Sequence, residues 1–389
     1  MDLFSNEEPS IKVRTKKITA SKKKILFNRV IGQSKAKFLL EKAILNERIP
    51  TAYLFYGQEG SGKNAMAIEF SKALNCTSGS QIPCQTCDNC RAIGRLVHPD
   101  LKFVFAAPAK IKTEDVVKHI QKLAANPYLP SAYSETAGIL IDQVRELKRT
   151  AGLKLYKGKY RAFIISGADR MTTEAANSLL KILEEPPPKL LLILITSRLD
   201  KLLPTIISRC QLIKFSPLKE TDIVSALEKE GIEPGKAKIV SRLSMGNFRK
   251  ASALLEEDYN AMREQAWLLL IGSQNGDDFQ KLALIEKIAA GKSRGQIKEL
   301  FHIALLWLRD LQVLRIRGGD LQEDAGFYNA DQIEKLARLN DKLSEVNLDK
   351  TIVETENSID LIERNVYINL ILINYVTYLF DINLSQQPR

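Results

Sequence analysis

The sequence lacks a long apolar segment of the kind that crosses a membrane. Its most apolar stretch, residues 366–380, is interrupted by Asn369 and Asn374, so it is too short and too polar to span a bilayer. The amino end has no apolar secretory core either, only a polar and basic stretch. We therefore expect a cytoplasmic protein with no membrane contact.

Cysteine is scarce, with five in 389 residues, and four of the five lie between residues 76 and 90. Cytoplasmic thiols stay reduced, so such a cluster indicates metal rather than disulfides. The two-residue spacings let thiolates converge on one ion, and four sulfurs complete the tetrahedron of a structural zinc site, which leaves no open position for a reactive water. Chance clustering of core cysteines is the alternative, and the distant Cys210 is not expected to be a ligand. The predicted zinc ligands are Cys76, Cys84, Cys87 and Cys90.

Acidic residues are fewer than basic ones, which gives a formal net charge of +11 and a pI near 9.2. Such a balance favours an anionic partner such as nucleic acid, although it also serves simply to keep a surface soluble. Seven Lys or Arg and no acidic residue lie between residues 12 and 24. We expect residues 1–27 to form a basic, flexible tail able to touch phosphates, or a solvated tail with no dedicated role.

The most informative stretch is a short apolar run at residues 53–56 that leads into a glycine-rich turn and then a helix-compatible segment. In the pattern G-x-x-x-x-G-K, consecutive backbone N–H groups surround phosphate oxygens and the lysine supplies a cation. The position after the lysine normally carries Ser or Thr, whose hydroxyl binds the magnesium of a nucleotide, and here it is asparagine. The predicted phosphate-binding residues are Gly57, Gly60, Ser61, Gly62, Lys63 and Asn64.

A second strand of a working P-loop enzyme ends in an acidic pair, which binds magnesium and activates the attacking water. The candidate strand is residues 162–165, and the two positions that follow it hold Ser166 and Gly167. The nearest carboxylate, Asp169, comes three residues beyond the strand end, where a turn role is the simpler interpretation. The hydroxyl and both carboxylates are thus missing together, which predicts a loss of hydrolysis.

The chain divides into an α/β part and a helical part. Strand-length apolar runs at residues 101–106, 160–166, 190–196 and 211–215 alternate with helical segments, including 142–151 and 173–183, which predicts a parallel sheet covered on both faces. After Pro217 the strand signals stop, and long periodic helices are expected at 294–317, 330–343 and 348–379.

Several further strings of the sequence are distinctive besides the glycine-rich loop and the cysteine cluster. In chain order they are Val30-Ile-Gly-Gln33, His98-Pro99-Asp100-Leu101, Ile141-Asp142-Gln143-Val144-Arg145-Glu146-Leu147, Ala168-Asp169-Arg170-Met171-Thr172, Asn177-Ser-Leu-Leu-Lys181-Ile-Leu-Glu184-Glu185-Pro186-Pro187, Ser208-Arg209-Cys210 and, more weakly, Gly246-Asn-Phe-Arg249-Lys-Ala251. In this order they resemble the strings of the bacterial clamp-loader subunits of DNA polymerase III, an AAA+ family. The match is continuous over residues 30–218 and weaker beyond them.

The resemblance implies the fold and the domain bounds. An AAA+ P-loop parallel-sheet domain of the α/β class would occupy residues 28–217 and carry a four-cysteine zinc insertion at 76–90. A small helical lid would follow at 218–260, and an all-α C-terminal collar, which joins other subunits in a ring, at 261–389.

The family contains a motor type, gamma/tau, which hydrolyses ATP, and a stator type, delta-prime, with degraded nucleotide motifs. The motor's hydroxyl and acidic pair fall on Asn64, Ser166 and Gly167, so the resemblance implies the delta-prime type, with passive binding of ATP or ADP left open. It also implies that Arg209 reaches the γ-phosphate of a neighbour's ATP in trans, and that Arg249 contacts nucleotide from the lid. A structural Arg209 paired with a local carboxylate is the alternative.

The implied partners are the other clamp-loader subunits and, through the complex, the sliding clamp and primed DNA. Two other functions stay open at this point. The first is an ATP-hydrolysing motor of the gamma/tau type, which would need Asp169 as a metal ligand. The second is a DNA-binding scaffold module in which the basic tail and surface do the main work.

Overall fold

The computed structural model describes residues 24–78, 81–134, 136–256, 259–272, 278–319, 326–344 and 346–384. The predicted basic tail lies mostly outside the described residues, since only its last four positions are among them. Those positions are part of the fold, because Lys24–Ile25 pairs with Gln81–Ile82 as two short parallel strands and the Phe27 side chain is buried. Residues 24–27 are therefore part of the fold, whereas the sequence analysis had placed them in the flexible tail.

The described chain forms two compact units, one within Met1–Gly57 and Gly62–Phe215, the other within Gln58–Ser61 and Ser216–Arg389. The first unit holds every strand found in the described residues, together with seven helices. In chain order its elements are β1 (Lys24–Ile25), α1 (Ser34–Leu45), β2 (Ala52–Gly57), α2 (Lys63–Asn75), β3 (Gln81–Ile82), α3 (Asp88–Gly94), β4 (Leu101–Phe105), α4 (Thr113–Ala125), α5 (Ile141–Ala151), β5 (Arg161–Ser166), α6 (Thr173–Glu184), β6 (Leu190–Thr196), α7 (Pro204–Ile207) and β7 (Gln211–Phe215).

The centre of the first unit is a five-stranded, fully parallel sheet of order β4-β5-β6-β2-β7. Every residue of β5 and β6 is buried, as expected for strands covered on both faces by helices. This confirms the α/β class and the parallel sheet predicted from the apolar runs. Within the core, Val144 and Leu147 of α5 and Leu179 of α6 cluster with Phe163 and Ile165 of β5.

The register of the sheet brings the site residues to one edge. Tyr56 lies opposite Thr196, and Ser166 lies opposite Ile195. Because parallel strands end at the same edge, the loop after β2, the residues after β5 and the end of β6 are neighbours there. Thr172 caps the N-terminus of α6, since its side chain accepts a hydrogen bond from the Ala175 backbone N–H.

A buried polar network ties the cysteine segment to the sheet. The carboxylate of Asp100, directly before β4, accepts backbone N–H bonds from Tyr156, Lys157 and Gly158 at 2.8–3.1 Å, and it pairs with the buried Arg161 guanidinium at 3.3 Å. A buried carboxylate with these donors is stabilised in its charged form.

The network continues toward α3 through His98. The His98 Nδ1 atom accepts the Asp100 backbone N–H at 3.0 Å, so Nε2 carries the proton and donates to Asn89 Oδ1 at 3.2 Å. Asn89 in turn donates to the Asn75 carbonyl at 2.8 Å. Burial lowers the pKa of His98, so the imidazole is neutral within this network near neutral pH.

We expect Asp100→Asn to lower the free energy of unfolding by about 3–5 kcal/mol, because it leaves the Arg161 charge buried and unpaired. Urea unfolding monitored by circular dichroism would measure the change. Asp88→Asn is the matched control, since Asp88 also pairs with an arginine but is exposed, and should change nothing measurable. An unchanged unfolding midpoint in Asp100→Asn would contradict the role of the pair.

The ion pair between Asp100 and Arg161 also makes the stability of the fold depend on pH. Burial opposes ionisation of Asp100, but the bonds from Tyr156, Gly158, Lys157 and Arg161 outweigh it, and the pKa of this carboxyl lies below its ordinary value. Its contribution is therefore present above the unfolded-state pKa of about 3.9 and is lost as the pH falls through the lower folded-state pKa.

The second unit is helical throughout its described residues. Its helices are α8 (Glu220–Lys229), α9 (Pro234–Leu243), α10 (Phe248–Glu256), α11 (Tyr259–Gly272), α12 (Asp278–Ala289), α13 (Arg294–Ile316), α14 (Ile333–Lys342), α15 (Leu348–Glu363) and α16 (Ile368–Leu384). Among the described residues, no helix is long and apolar enough to cross a membrane.

One helix prediction in this unit was wrong. The periodic stretch 348–379 was expected to be a single helix, but α15 ends at Glu363 and α16 begins at Ile368. Asn365 between them has a positive φ of 65°, and its N–H returns to the Ile362 carbonyl. Asparagine tolerates this left-handed conformation, which ends a helix, whereas the apolar periodicity on both sides continues and hides the break.

Candidate functional site

The predicted phosphate loop, residues 57–63, connects β2 to α2 as the motif requires. Gly57 has a φ of 140°, and an added Cβ there would lie 2.0 Å from the Phe215 carbonyl oxygen, so only glycine fits. Gly62, with a φ of 92°, is the residue before the first turn of α2. The Lys63 side chain is buried, and its ammonium donates to the Gly57 carbonyl at 2.7 Å. The loop of residues 57–63, which we call the cradle, thus has the backbone geometry of a phosphate-binding loop.

The middle of the loop, Gln58–Ser61, belongs to the second unit and contacts other residues of that unit. The Gly60 carbonyl accepts the Phe248 backbone N–H at 3.1 Å. Arg249, predicted to contact nucleotide, forms an ion pair with Glu59 at 2.9 Å, and both side chains are partly exposed. Sequence reasoning missed Glu59, which partly neutralises this arginine, and the nucleotide contact of Arg249 stays a prediction.

Asn64 and Ser166 meet at the place where a P-loop enzyme assembles its magnesium site. The Ser166 hydroxyl donates to the Asn64 amide oxygen with 2.6 Å between the two oxygen atoms. Two positions that in the motor type carry a metal-binding hydroxyl and a carboxylate are therefore neutral here and satisfy each other. No group at either position can carry the negative charge that holds a divalent cation.

Asp169 is held in the turn after β5. It lies in a short 3-10 segment, Ala168–Arg170, and its carboxylate accepts the Thr196 hydroxyl at 2.7 Å. The same hydroxyl oxygen accepts the backbone N–H of Arg198 at 2.9 Å. The carboxylate thus serves to fix the end of β6, as a turn role would require.

Arg209 lies just beyond α7, with a side chain that is 37% exposed. One of its terminal nitrogens donates to the Thr205 carbonyl at 3.0 Å, and the other pairs with Glu184, at the end of α6, also at 3.0 Å. The local carboxylate of the structural alternative is therefore present. The pair is exposed enough to be screened by solvent, so it fixes a side-chain orientation more than it stabilises the fold.

The four clustered cysteines converge, since their sulfur atoms all lie within 4.8 Å of one another. Sulfur atoms of a tetrahedral zinc site, with Zn–S near 2.3 Å, are about 3.8 Å apart. The Cys84 and Cys90 sulfurs are separated by 4.0 Å, close to that value. Backbone N–H groups of Cys84, Cys87 and Cys90 point at the sulfurs at 3.3–3.5 Å. The donor set fits one tetrahedral metal ion, and Cys210 is not part of it.

The thiols of the cluster differ in acidity. Burial of Cys84 opposes ionisation, but hydrogen bonds from Cys87 and Thr86 outweigh it and lower the pKa of Cys84 to about 6. Burial also opposes ionisation of Cys87, but bonds from Thr77 and Cys90 overcome it and lower the pKa of this thiol. Burial raises the pKa of Cys76 and of Cys90. A metal ion binds these side chains as thiolates.

Tyr128 is a residue at the phosphate loop that sequence reasoning missed. It lies after α4, between the family strings that end at Leu101 and begin at Ile141, and its hydroxyl contacts Gly62. No pattern in the sequence marked it, because the contact joins residues far apart in the chain. The same reason hid Glu184 as the partner of Arg209.

The sheet and the loop together define the class. A glycine-rich loop with a lysine joins β2 to α2, and β6 separates β2 from β5 in a parallel sheet, which is the arrangement of a P-loop protein of the AAA+ type. Residues 32–219 match the profile of the protein family described as "DNA polymerase III, delta subunit". Residues 32–219 therefore belong to the family of bacterial DNA polymerase III clamp-loader subunits, which is of the AAA+ type.

Its relatives carry the names of several subunits. It is 34% identical to DNA polymerase III subunit delta' of Bacillus subtilis, over 58% of this chain and 60% of the relative. It is 32% identical to subunit gamma of Buchnera aphidicola (59% and 56%) and 30% identical to subunit tau of Escherichia coli (67% and 37%). The chain thus spans three fifths or less of the length of these relatives.

Two solved structures from Thermotoga maritima overlay on much of the chain. A DNA polymerase III gamma subunit-related protein covers 90% of it at 17% identity, with a TM-score of 0.39. The RuvB Holliday junction branch migration motor covers 82% of it at 14% identity, with a TM-score of 0.38. At these TM-scores neither overlay adds to the assignment.

Proposed function

We propose that this chain is a non-motor subunit of the clamp loader, of the delta-prime type. The hydrogen bond between Asn64 and Ser166 carries the proposal, because it replaces the hydroxyl and the first carboxylate of a hydrolytic site by two neutral groups bonded to each other. Gly167, in the position of the second carboxylate, has no side chain to activate water. The fold of the cradle is kept while the groups for hydrolysis are absent.

In this role the chain acts on a neighbour's ATP through Arg209. An arginine supplied in trans stabilises the charge that spreads over the transferring phosphoryl group. Glu184 and the Thr205 carbonyl hold two nitrogens of the guanidinium, while the side chain stays accessible to a partner. Preorganisation of this kind lowers the entropy lost when the arginine engages its target.

The remaining assignments of the proposal follow the family. The second unit divides into a lid at 218–260 and a collar at 261–389, and the collar joins other clamp-loader subunits. The complex places a sliding clamp on primed DNA in the cytoplasm. The cysteine cluster holds a structural Zn²⁺, since four thiolates at tetrahedral spacing are the donor set of closed zinc sites.

The purified chain alone should therefore show no ATP turnover above background. A coupled assay at saturating ATP and magnesium would measure it, with the Lys63→Ala variant as the control that identifies a contaminating ATPase. Turnover of about 1 s⁻¹ or faster, abolished by Lys63→Ala, would instead make the chain an enzyme.

The gamma/tau motor is the second candidate, because relatives with those names match as much of the chain as the delta-prime relative does. That function requires Asp169 to bind metal. Its carboxylate already accepts the Thr196 hydroxyl at the end of β6. The turnover assay separates the two candidates.

A further inference from the structure

The connection between α4 and α5 brings a tyrosine onto the phosphate loop. Tyr128 is only 7% exposed although it lies in a loop. An added Cβ at Gly62 would lie 3.0 Å from its hydroxyl oxygen, 3.2 Å from Cε1 and 3.3 Å from Cζ. The hydroxyl end of the ring therefore packs directly against the residue that precedes Lys63, at the N-terminus of α2.

The hydroxyl of Tyr128 also forms hydrogen bonds with the backbone of the segment that precedes α1. It accepts the Ile31 backbone N–H at 2.8 Å and donates to the Arg29 carbonyl at 3.5 Å. Burial raises the pKa of Tyr128, so the phenol is neutral at physiological pH. The ring and its hydroxyl thus link the segment before α1 to the phosphate loop without introducing charge.

This segment is anchored independently of the tyrosine. The Arg29 guanidinium donates to the carbonyls of Ala124 and Ala125 at 3.0 and 2.8 Å, at the C-terminal end of α4 where a cation is favoured. The Tyr128 backbone N–H is fixed by the Asn126 side chain at 3.0 Å. Both sides of the contact are therefore held in place before any ligand arrives.

A nucleotide bound at the phosphate loop needs space and a hydrogen-bond donor that Tyr128 already occupies. Its phosphates bind the backbone N–H groups at the N-terminus of α2, so its ribose and base must extend past one side of the loop. A base needs open space beside the loop and a polar partner such as the backbone N–H of Ile31. On the Gly62 flank, the phenol ring takes up that space and its oxygen already accepts the Ile31 N–H.

We propose that Tyr128 is a built-in occupant of the nucleoside side of the cradle, which a nucleotide must displace in order to bind. The phosphate side is left as it is, so the tyrosine sets the affinity for nucleosides and not for phosphate. This goes beyond the proposed function, which concerns hydrolysis: a chain that binds ADP tightly after loss of Tyr128 would still lack the groups that hydrolyse ATP.

The test is the affinity for ADP, measured by isothermal titration with magnesium present, with pyrophosphate as a second probe. Tyr128→Ala should bind ADP at least tenfold more tightly than the unmodified chain, while its pyrophosphate affinity stays within threefold. Tyr128→Phe, which keeps the ring but frees the Ile31 N–H, should gain about three- to fivefold. Adding Lys63→Ala to Tyr128→Ala should abolish the gain and so locate it in the cradle.

The control is Tyr133→Ala, in the same connection, because that ring is 42% exposed and packs at a tilt against His119. It should leave ADP affinity unchanged. Melting curves verify that each variant is folded, and should Tyr128→Ala not fold, Tyr128→Phe decides alone. An ADP affinity within twofold of the unmodified chain in the folded Tyr128 variants, or a gain shared by Tyr133→Ala or by pyrophosphate, overturns the proposal.

Discussion

Arg209→Ala in the reconstituted clamp loader is expected to lower ATP turnover by about a thousandfold or more at each site that receives this arginine. The guanidinium contributes only when charge develops on the transferring phosphoryl group, so the loss should fall on kcat and leave KM for ATP nearly unchanged. Steady-state turnover with clamp and primed DNA present would measure it. If other sites in the ring keep their own arginines, single-turnover kinetics separates the affected site.

The controls for Arg209 come from its surroundings. Glu185→Ala removes an exposed carboxylate next to Glu184, the residue that pairs with Arg209, and should leave turnover unchanged. Arg209→Lys keeps the charge but not the planar fork and should remain strongly impaired. Size-exclusion chromatography should show that every variant assembles. Full turnover in an assembled Arg209→Ala complex would refute the trans role and leave Arg209 as the structural partner of Glu184.

The parts of the fold that could be predicted are those with a local signal. Strands β6 and β7 have the predicted bounds, because the apolar run of β6 and the alternating buried residues Ile213 and Phe215 of β7 are local signals. Helix α4 was not predicted, since only Leu123 is buried in it and its apolar face is narrow. The break at Asn365 was missed for the opposite reason, because the apolar pattern on each side is strong.

The candidate site divides in the same way. The spacing of residues along the chain predicted both the phosphate loop and the cysteine cluster, because each lies within one short segment of the sequence. The contacts that give the residues their surroundings are long-range: Asn64 meets Ser166 from 102 positions away, and Tyr128 reaches Ile31 from 97. The residue order identified the missing carboxylates, but only the fold shows what the remaining groups bind instead.

Loss of one thiol ligand is expected to have the largest effect on stability. Binding of structural zinc contributes about 10–16 kcal/mol in zinc-finger peptides, which equals or exceeds the whole stability of a typical domain. Cys87→Ser should reduce zinc from one ion per chain to roughly a tenth of that or less. Because Asn89 of α3 links the cluster to His98 and the sheet, the damage should spread beyond the insertion and lower the melting temperature by roughly 10 °C or more.

Cys210→Ala provides the matched control, because this thiol is outside the cluster and should leave zinc content at one ion per chain. Elemental analysis of protein purified without chelator, together with calorimetry, measures both quantities. Chelation of the unmodified chain should reproduce the melting temperature of Cys87→Ser, since both would remove the proposed zinc cross-link between Cys76 and α3. Protein that is free of zinc as purified, yet melts like the zinc-loaded chain, would show that the thiols pack as ordinary core residues.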